Sequence, residues 1–385
     1  MNKINQSTIS VRSGLNSDEQ HGCVVSPITL STIYNFTGFN EPRMYDYSRR
    51  RNPTRDVAQK ALADLEQGQY AIITSSGMSA ISLICMTFLN PGDFLIAPYD
   101  CYGGTYRLLE SLDQKGICRV RFINQCDLKS VLRSVSKYSP KLILIETPSN
   151  PMLRVTDIAF ICNLKKNGVI CVVDNTFMTP ILQNPLQLGA DLVLHSCSKY
   201  LNGHSDVISG VVITDNIKFY ERLFWWVNTL GITGSAFDSY QLLRGIRTLV
   251  PRIYQQQKNT KNIIDFLLNQ AEIKSVYYPG LPGNTGYEIA CAQQRGFGSI
   301  LSFELHGSEN TLIKFLRSLK LFTLAESFGG VESLISHPAT MTHAAMSQDS
   351  RKKAGISNML LRISVGLEDS VDLINDLNQA LGSIR

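Results

Sequence analysis

Between residues 56 and 215 the chain alternates short apolar runs with longer stretches in which apolar residues recur every three or four positions. The runs at 70–74, 94–97, 120–124, 142–146, 169–174, 192–195 and 211–214 read as buried strands, being too short for core helices. The segments at 78–89, 128–137 and 157–166 have helical spacing and enough length for crossover connections. Such alternation predicts an α/β fold: a mostly parallel sheet in a large domain, with helices on both faces. Ligands of these sheets collect where the strands end, so residues just after each run are the first candidates for chemistry.

Further along, a helix predicted over 253–269 runs into Pro279-Gly280-Leu281-Pro282-Gly283, a turn-rich break that reads as a domain hinge. Strand patterns at 299–305 and 360–365 and helix patterns at 310–319 and 370–381 predict a C-terminal α+β domain. The first 55 residues show little periodicity and read as an arm that packs on something else. The expected division is therefore an N-terminal arm over 1–55, a large domain over 56–250 and a C-terminal domain over 251–385.

Composition narrows the class. A chain of 385 residues, 44% hydrophobic and 18% charged, is an ordinary globular protein long enough for more than one core. Its nine cysteines are odd in number and contain no C-x-x-C pair, which argues against a zinc or redox motif and for reduced thiols in the cytoplasm. The start, Met1-Asn-Lys-Ile-Asn-Gln-Ser-Thr, lacks an apolar signal region, and no run approaches the roughly 18 apolar residues of a membrane span. A soluble cytoplasmic protein is expected. The net charge of +5 has one dense centre: Arg43, Arg49, Arg50, Arg51 and Arg55, interleaved with Tyr45 and Tyr47. That cluster suits either a nucleic-acid footprint or a site for phosphates and carboxylates.

Three features carry candidate chemistry. Ser75-Ser76-Gly77-Met78-Ser79 follows the first strand and opens a helix, whose free N–H groups could hold a phosphate, although serine caps of an ordinary turn read the same way. Asp174 ends a buried strand and needs a partner: the nitrogen of a pyridine ring, or the N–H groups of a helix it caps. Lys199 follows the strand at 192–195, between Ser196, Ser198 and the turn Asn202-Gly203-His204. Desolvation there would make its amine nucleophilic, whereas most lysines remain solvated. Taken in this order, helix-opening glycine, buried aspartate and late-strand lysine favour a cofactor site. No G-x-G-x-x-G follows the early strands, which argues against a dinucleotide.

The segment Asp191-Leu-Val-Leu-His-Ser-Cys-Ser-Lys199-Tyr-Leu-Asn-Gly-His-Ser205 resembles the lysine signature of the Cys/Met-metabolism pyridoxal-phosphate enzymes, with Ser198 where the family usually has threonine. The likeness runs on through Tyr45-Asp-Tyr-Ser-Arg-Arg50, Asn52-Pro-Thr-Arg55, Glu146-Thr-Pro-Ser-Asn-Pro151, Val173-Asp-Asn-Thr-Phe177 and Ala325-Glu-Ser-Phe-Gly-Gly-Val-Glu-Ser333. It implies fold type I of the pyridoxal-phosphate transferases, as in aspartate aminotransferase, with pyridoxal 5′-phosphate as cofactor and no metal. It also implies that Lys199 is the Schiff-base lysine, that Gly77, Met78, Ser196 and Ser198 hold the phosphate, and that Tyr102 stacks on the ring. Asp174 would pair with the ring nitrogen and Asn150 with the ring hydroxyl. Tyr47 and Arg49 would reach the phosphate of a neighbouring subunit, so the arm implies an oligomer, expected to be a homotetramer.

For substrates, the resemblance assigns Arg362 and Ser327 to an α-carboxylate, though an inward arginine on a strand can also be a structural ion pair. Asp46, Arg50, Arg107 and Glu326 fall to the distal ends, the arginines to a succinyl carboxylate and the acids to an ammonium. The implied reaction is γ-replacement of O-succinyl-L-homoserine by L-cysteine, giving L-cystathionine and succinate in methionine biosynthesis, with Lys199 and Tyr102 as acid and base. The same machinery would serve a lyase that cleaves cystathionine or a sulfhydrylase that takes sulfide. Because the arginine cluster lies within the resemblance, phosphate and carboxylate binding is preferred there, and neither nucleic acid nor membrane is expected as a partner. Arg51 stands where the family usually has glycine.

Overall fold

In the structure, a computed structural model, residues 4–165, 168–344 and 346–385 are described. The apolar runs form β1 (Tyr70–Thr74), β2 (Phe94–Pro98), β3 (Arg119–Ile123), β4 (Leu142–Glu146), β5 (Ile170–Asp174), β6 (Leu192–Ser196) and β7 (Gly210–Thr214). They lie side by side in the order β1-β7-β6-β5-β4-β2-β3. Pairing is parallel from β6 to β3, while β7 runs antiparallel to both β1 and β6. The reversal has a local cause: residues 197–209 join β6 to β7 without a crossover helix, so the chain must turn back over the sheet's carboxyl edge. Lys199 lies in that return.

Alternation along the strands sends side chains to two covered faces. Leu142, Leu144, Val172, Leu192 and Leu194 pack with Ala80, Ile81, Leu83 and Ile84 of the helix Gly77–Phe88. Ile143, Ile145, Cys171 and Val173 pack on the opposite face with Ile158 and Ile161. By the same two-residue period, the terminal residues Glu146, Asp174 and Ser196 emerge on the side of the helix Gly77–Phe88. The helix expected over 157–166 spans Ile158–Asn163, behind the cap Asp157; Lys166 lies outside the described residues, as do Met1–Lys3 of the arm.

A second sheet holds β8 (Ile273–Tyr277), β9 (Ile300–Leu305), β10 (Thr323–Leu324), β11 (Leu334–Ser336) and β12 (Leu360–Ser364) in the order β10-β11-β12-β9-β8. Leu361 and Ile363 of β12 bury against the helices Glu309–Ser318 and Ser370–Gly382, which turns Arg362 towards the first sheet. The proline- and glycine-rich turn at 279–283 lies between β8 and β9 of this one sheet, so it is not a hinge between the two sheets. That passage is made by the helix Leu249–Leu267. Its first turns bury Leu249, Val250 and Ile253 in the core beneath the first sheet, and its last turns bury Ile263, Ile264 and Leu267 in the core of the second.

The arm carries a short helix, Gln6–Arg12, and then little regular structure before the helix Pro53–Glu66. It exposes Val24, Leu30, Ile33, Phe36, Phe39 and Met44, an apolar surface that this chain leaves uncovered. Arg51 adopts no left-handed φ, so the backbone there does not require glycine. Its guanidinium binds Asp56 Oδ2 through Nε at 3.1 Å and Nη2 at 2.8 Å and lies over the Tyr45 ring. The added side chain thus ties the arm to the helix that follows it.

No helix among the described residues is long and apolar enough to cross a membrane, and all nine cysteines are free.

Candidate active site

The carboxyl ends of β4, β5 and β6, the start of the helix Gly77–Phe88 and the inner face of the second sheet enclose a cavity of about 580 Å³. That volume suits a small molecule plus a bound substrate. Gly77, Met78, Tyr102, Asn150, Asp174, Ser196, Ser198, Lys199, Glu326, Ser327 and Arg362 all line it. At one end, Ser76 caps the helix by accepting from Ser79 N–H, so the N–H groups of Gly77 and Met78 point on without an intrahelical acceptor. A Cβ at position 77 would lie 2.9 Å from Ser196 Cβ, and only glycine brings backbone this close to the Ser196 hydroxyl. Ser198 Oγ donates to Ser209 O and accepts from Ser209 N–H at 3.0 Å, so its hydroxyl braces the 197–209 return as well as facing the cavity.

Deeper in, Asp174 accepts from Thr176 N–H at 3.0 Å and from the Thr176 hydroxyl, both on Oδ1. Oδ2 keeps its capacity for a protonated ring nitrogen. Burial pushes this carboxyl above its usual range, and the Thr176 hydrogen bonds act against that rise.

Lys199 brings an amine to the cavity lining. Its Nζ donates to Ser327 Oγ at 2.8 Å, and Ser327 O accepts from Arg362 Nη2 at 2.8 Å. Ser327 makes both contacts from a left-handed backbone, φ 92°, a conformation that costs a non-glycine residue about 1–3 kcal/mol. The centroid of the Phe328 ring lies 5.3 Å from Lys199 Nζ and 5.3 Å from Arg362 Cζ, so one aromatic ring contacts both cations. Burial, then the Arg362 charge, lowers the Lys199 amine to about 8, with Glu326 pulling the other way. An aldehyde condenses only with the neutral amine. The apo-protein is therefore expected to take up pyridoxal phosphate at a rate that levels off above about pH 8, as followed by the growth of visible absorbance. A lysine with the ordinary value of about 10.4 would keep that rate climbing.

Arg362 is 2% exposed. Besides Ser327 O it donates to Asn150 Oδ1 at 2.9 Å, while its Nε is buried without a partner. No carboxylate of the described residues forms a salt bridge with it, so it is not a structural ion pair. Arg252, also buried, spends its three nitrogens on Thr248, Tyr200 and Gly245. The contrast marks Arg362 as a guanidinium with unspent capacity for an anion.

The remaining sequence candidates stand outside this chain's cavity lining. Tyr47 and Arg49 are exposed, with the Arg49 guanidinium over the Tyr47 ring and Arg49 Nε on Asn228 Oδ1. Asp46 and Arg50 form an ion pair with each other, and Arg107 is exposed on the helix Gly103–Gln114. Phe328 and Glu146 are among the lining residues that had no role in the sequence reading, each quoted there only as part of a motif. The apolar residue beside Ser327 and the acid ending an apolar strand were the available signals.

Free N–H groups and hydroxyls at a helix start, a buried amine and an acid with a spare oxygen fit pyridoxal phosphate in chemistry and in order. Comparison with known proteins agrees. The family described as Cys/Met metabolism PLP-dependent enzyme matches residues 7–382. Cystathionine gamma-synthase of Escherichia coli (strain K12) is 62% identical over 97% of this chain and 96% of that one. Cystathionine gamma-lyase of Bacillus subtilis (strain 168) is 42% identical over 99% of this chain and all of the relative. The crystal structure of cystathionine gamma synthase from Xanthomonas oryzae pv. oryzae in complex with cystathionine superposes with a TM-score of 0.97, at 48% identity and 99% coverage of both chains.

Proposed function

The chain belongs to the Cys/Met-metabolism pyridoxal-phosphate-dependent enzymes, and from that membership we propose that it performs γ-replacement on O-succinyl-L-homoserine with L-cysteine, forming L-cystathionine and succinate for methionine biosynthesis. Its fold is type I and its cofactor is pyridoxal 5′-phosphate. The observation that carries the reaction is the Lys199–Ser327–Arg362 relay: a neutralisable amine and an unpaired buried guanidinium, joined by one strained serine.

In this reading Gly77, Met78, Ser196 and Ser198 hold the cofactor phosphate, Asp174 holds the ring nitrogen, Asn150 the ring hydroxyl, and Tyr102 covers the ring. Bound pyridoxal phosphate supplies an electron sink that makes the Cα and Cβ protons of the substrate acidic. Arg362 fixes the substrate α-carboxylate, which presents the Cα proton to Lys199. Lys199 would hold the bound cofactor through its amine, and the free amine would take the Cα proton and later return it. Tyr102 acts as the second acid and base. Succinate leaves from Cγ, and the cysteine sulfur bonds to the same carbon.

The exposed arm supports a homo-oligomer in which Tyr47 and Arg49 reach the phosphate of a neighbouring subunit, with a homotetramer as the assembly. Arg50 and Arg107 then meet the succinyl carboxylate, and Asp46 and Glu326 an ammonium. Residues 1–55 serve as that arm, 56–250 as the cofactor-binding domain and 251–385 as the second domain. The free thiols favour the reducing cytoplasm.

Purified protein incubated with O-succinylhomoserine plus cysteine, with O-succinylhomoserine plus sulfide, and with cystathionine alone is expected to show its highest kcat/KM in the first case. A higher value with sulfide or with cystathionine alone would assign the chain to a sulfhydrylase or a lyase.

A further inference from the structure

Glu146 ends β4 in register with Asp174 at the end of β5. Both side chains emerge on the same face and line the cavity. Glu146 is only 8% exposed and has no cation as a salt-bridge partner among the described residues. Burial, then the neighbouring Asp174, pushes its carboxyl upward, so its position is electrostatically costly.

What it does instead is hold two pieces of backbone. Oε2 accepts from Tyr102 N–H at 2.9 Å, and Oε1 accepts from Asn150 N–H at 3.1 Å. Tyr102 opens the helix Gly103–Gln114 without a side-chain cap, so Glu146 supplies the acceptor that the helix start lacks. The same helix start is pinned from the other side, where a Cβ at Gly103 would lie 2.4 Å from Thr342 O. Asn150, in turn, accepts from Arg362 through Oδ1. One carboxylate therefore joins the aromatic cover of the ring to the guanidinium that faces the substrate.

We propose that Glu146 is a positioning residue, whose two oxygens set the distance between Tyr102 and the Asn150–Arg362 pair across the cofactor ring. The proposal rests on the roles given above to Tyr102, Asn150 and Arg362. Only a carboxylate can serve both N–H groups. A glutamine would present an NH₂ to one of them, two donors face to face. An aspartate keeps two acceptors but is one methylene too short to reach both.

The test uses the holoenzyme, with Glu146→Gln and Glu146→Asp, and measures kcat, KM, visible circular dichroism of the bound cofactor and the thermal midpoint. Dichroism in the visible band reports the fixed orientation of the ring and needs no substrate. Glu146→Gln is expected to lower kcat by about 10²-fold, the cost of a displacement near 1 Å, and to reduce the dichroism. Glu146→Asp should fall between wild type and Gln in both. A double-mutant cycle with Tyr102→Phe, which keeps the backbone N–H, should be non-additive, the Gln substitution costing less in the Phe background. Values of kcat and dichroism within twofold of wild type for Glu146→Gln would overturn the proposal. So would a lower kcat with unchanged dichroism. Should the Gln variant fail to fold, the Asp variant decides by the same criteria. If wild type itself turns over none of the substrates named above, the assigned reaction falls, and the substrate-free dichroism still decides Glu146.

Discussion

Lys199→Ala is expected to yield a folded protein that no longer forms the covalent attachment to pyridoxal phosphate and whose turnover falls by more than about 10³-fold, because one amine serves as anchor and as proton carrier. The visible absorbance of purified protein titrated with cofactor, and single-turnover rates with O-succinylhomoserine, measure the two losses separately. A small primary amine in the buffer should restore part of the proton transfer and none of the attachment to the chain. Stability should move the other way. The amine value of about 8 in the folded chain lies below its unfolded value, so folding releases protons between about pH 8 and 10.4, and the stability contributed by Lys199 rises with pH through that window. Below the window the buried ammonium is a cost. The apo form of Lys199→Ala is thus expected to melt no lower than wild type at pH 7, and to lose its advantage as pH rises past 9. Wild-type absorbance and turnover in the alanine variant would remove Lys199 from the reaction.

That lysine was legible because three local signals converge on it: an apolar strand, flanking hydroxyls and a turn. The same holds for the first sheet, whose strands are covered on both faces and therefore read as unbroken apolar runs. Legibility fails where structure depends on distant partners. Strands β10 and β11 are two and three residues long and take their form from their neighbours, β10 from β11 and β11 from β12, so no periodicity announces them. The turn at 279–283 carries every mark of a linker, yet β8 on one side and β9 on the other pair directly. The helix Pro53–Glu66 has a good start signal in Asn52-Pro53, but its buried face mixes Ala58, Ala61, Ala63, Leu62 and Leu65 with Thr54, Arg55 and Glu66 and gives a weak apolar stripe. In the site, residues aimed by their own strand or helix start were found at their positions in the cavity. Tyr47, Arg49, Asp46, Arg50 and Arg107 were nominated by motif, and a single chain brings none of them to its own cavity lining. Glu146 was marked by its place at the end of an apolar strand, but its partners are backbone N–H groups, which no side-chain pattern records.

Replacing Arg362 is expected to have the second-largest effect. Its guanidinium is 2% exposed, and two of its nitrogens are committed to Asn150 Oδ1 and Ser327 O, so in the proposed reaction a substrate carboxylate would meet a donor already fixed in place. Removing one partner of a desolvated, hydrogen-bonded charge pair costs about 2–5 kcal/mol, roughly 30- to 5,000-fold in kcat/KM for Arg362→Ala. Arg362→Lys should recover little, since an ammonium cannot hold the asparagine, the Ser327 carbonyl and a carboxylate from one point. A purely structural arginine would also lower activity if lost, so the deciding measurement uses an amine analogue of the substrate without its α-carboxylate. Wild type and Arg362→Ala should exchange the cofactor from Lys199 to that analogue at equal rates, while differing by the full factor on the amino acid itself. Equal losses on both compounds would mean that Arg362 only supports the cavity wall. Arg252→Ala supplies the contrast: its nitrogens bind Thr248, Tyr200 and Gly245, all within the protein, and its removal should lower the thermal midpoint without distinguishing the two compounds.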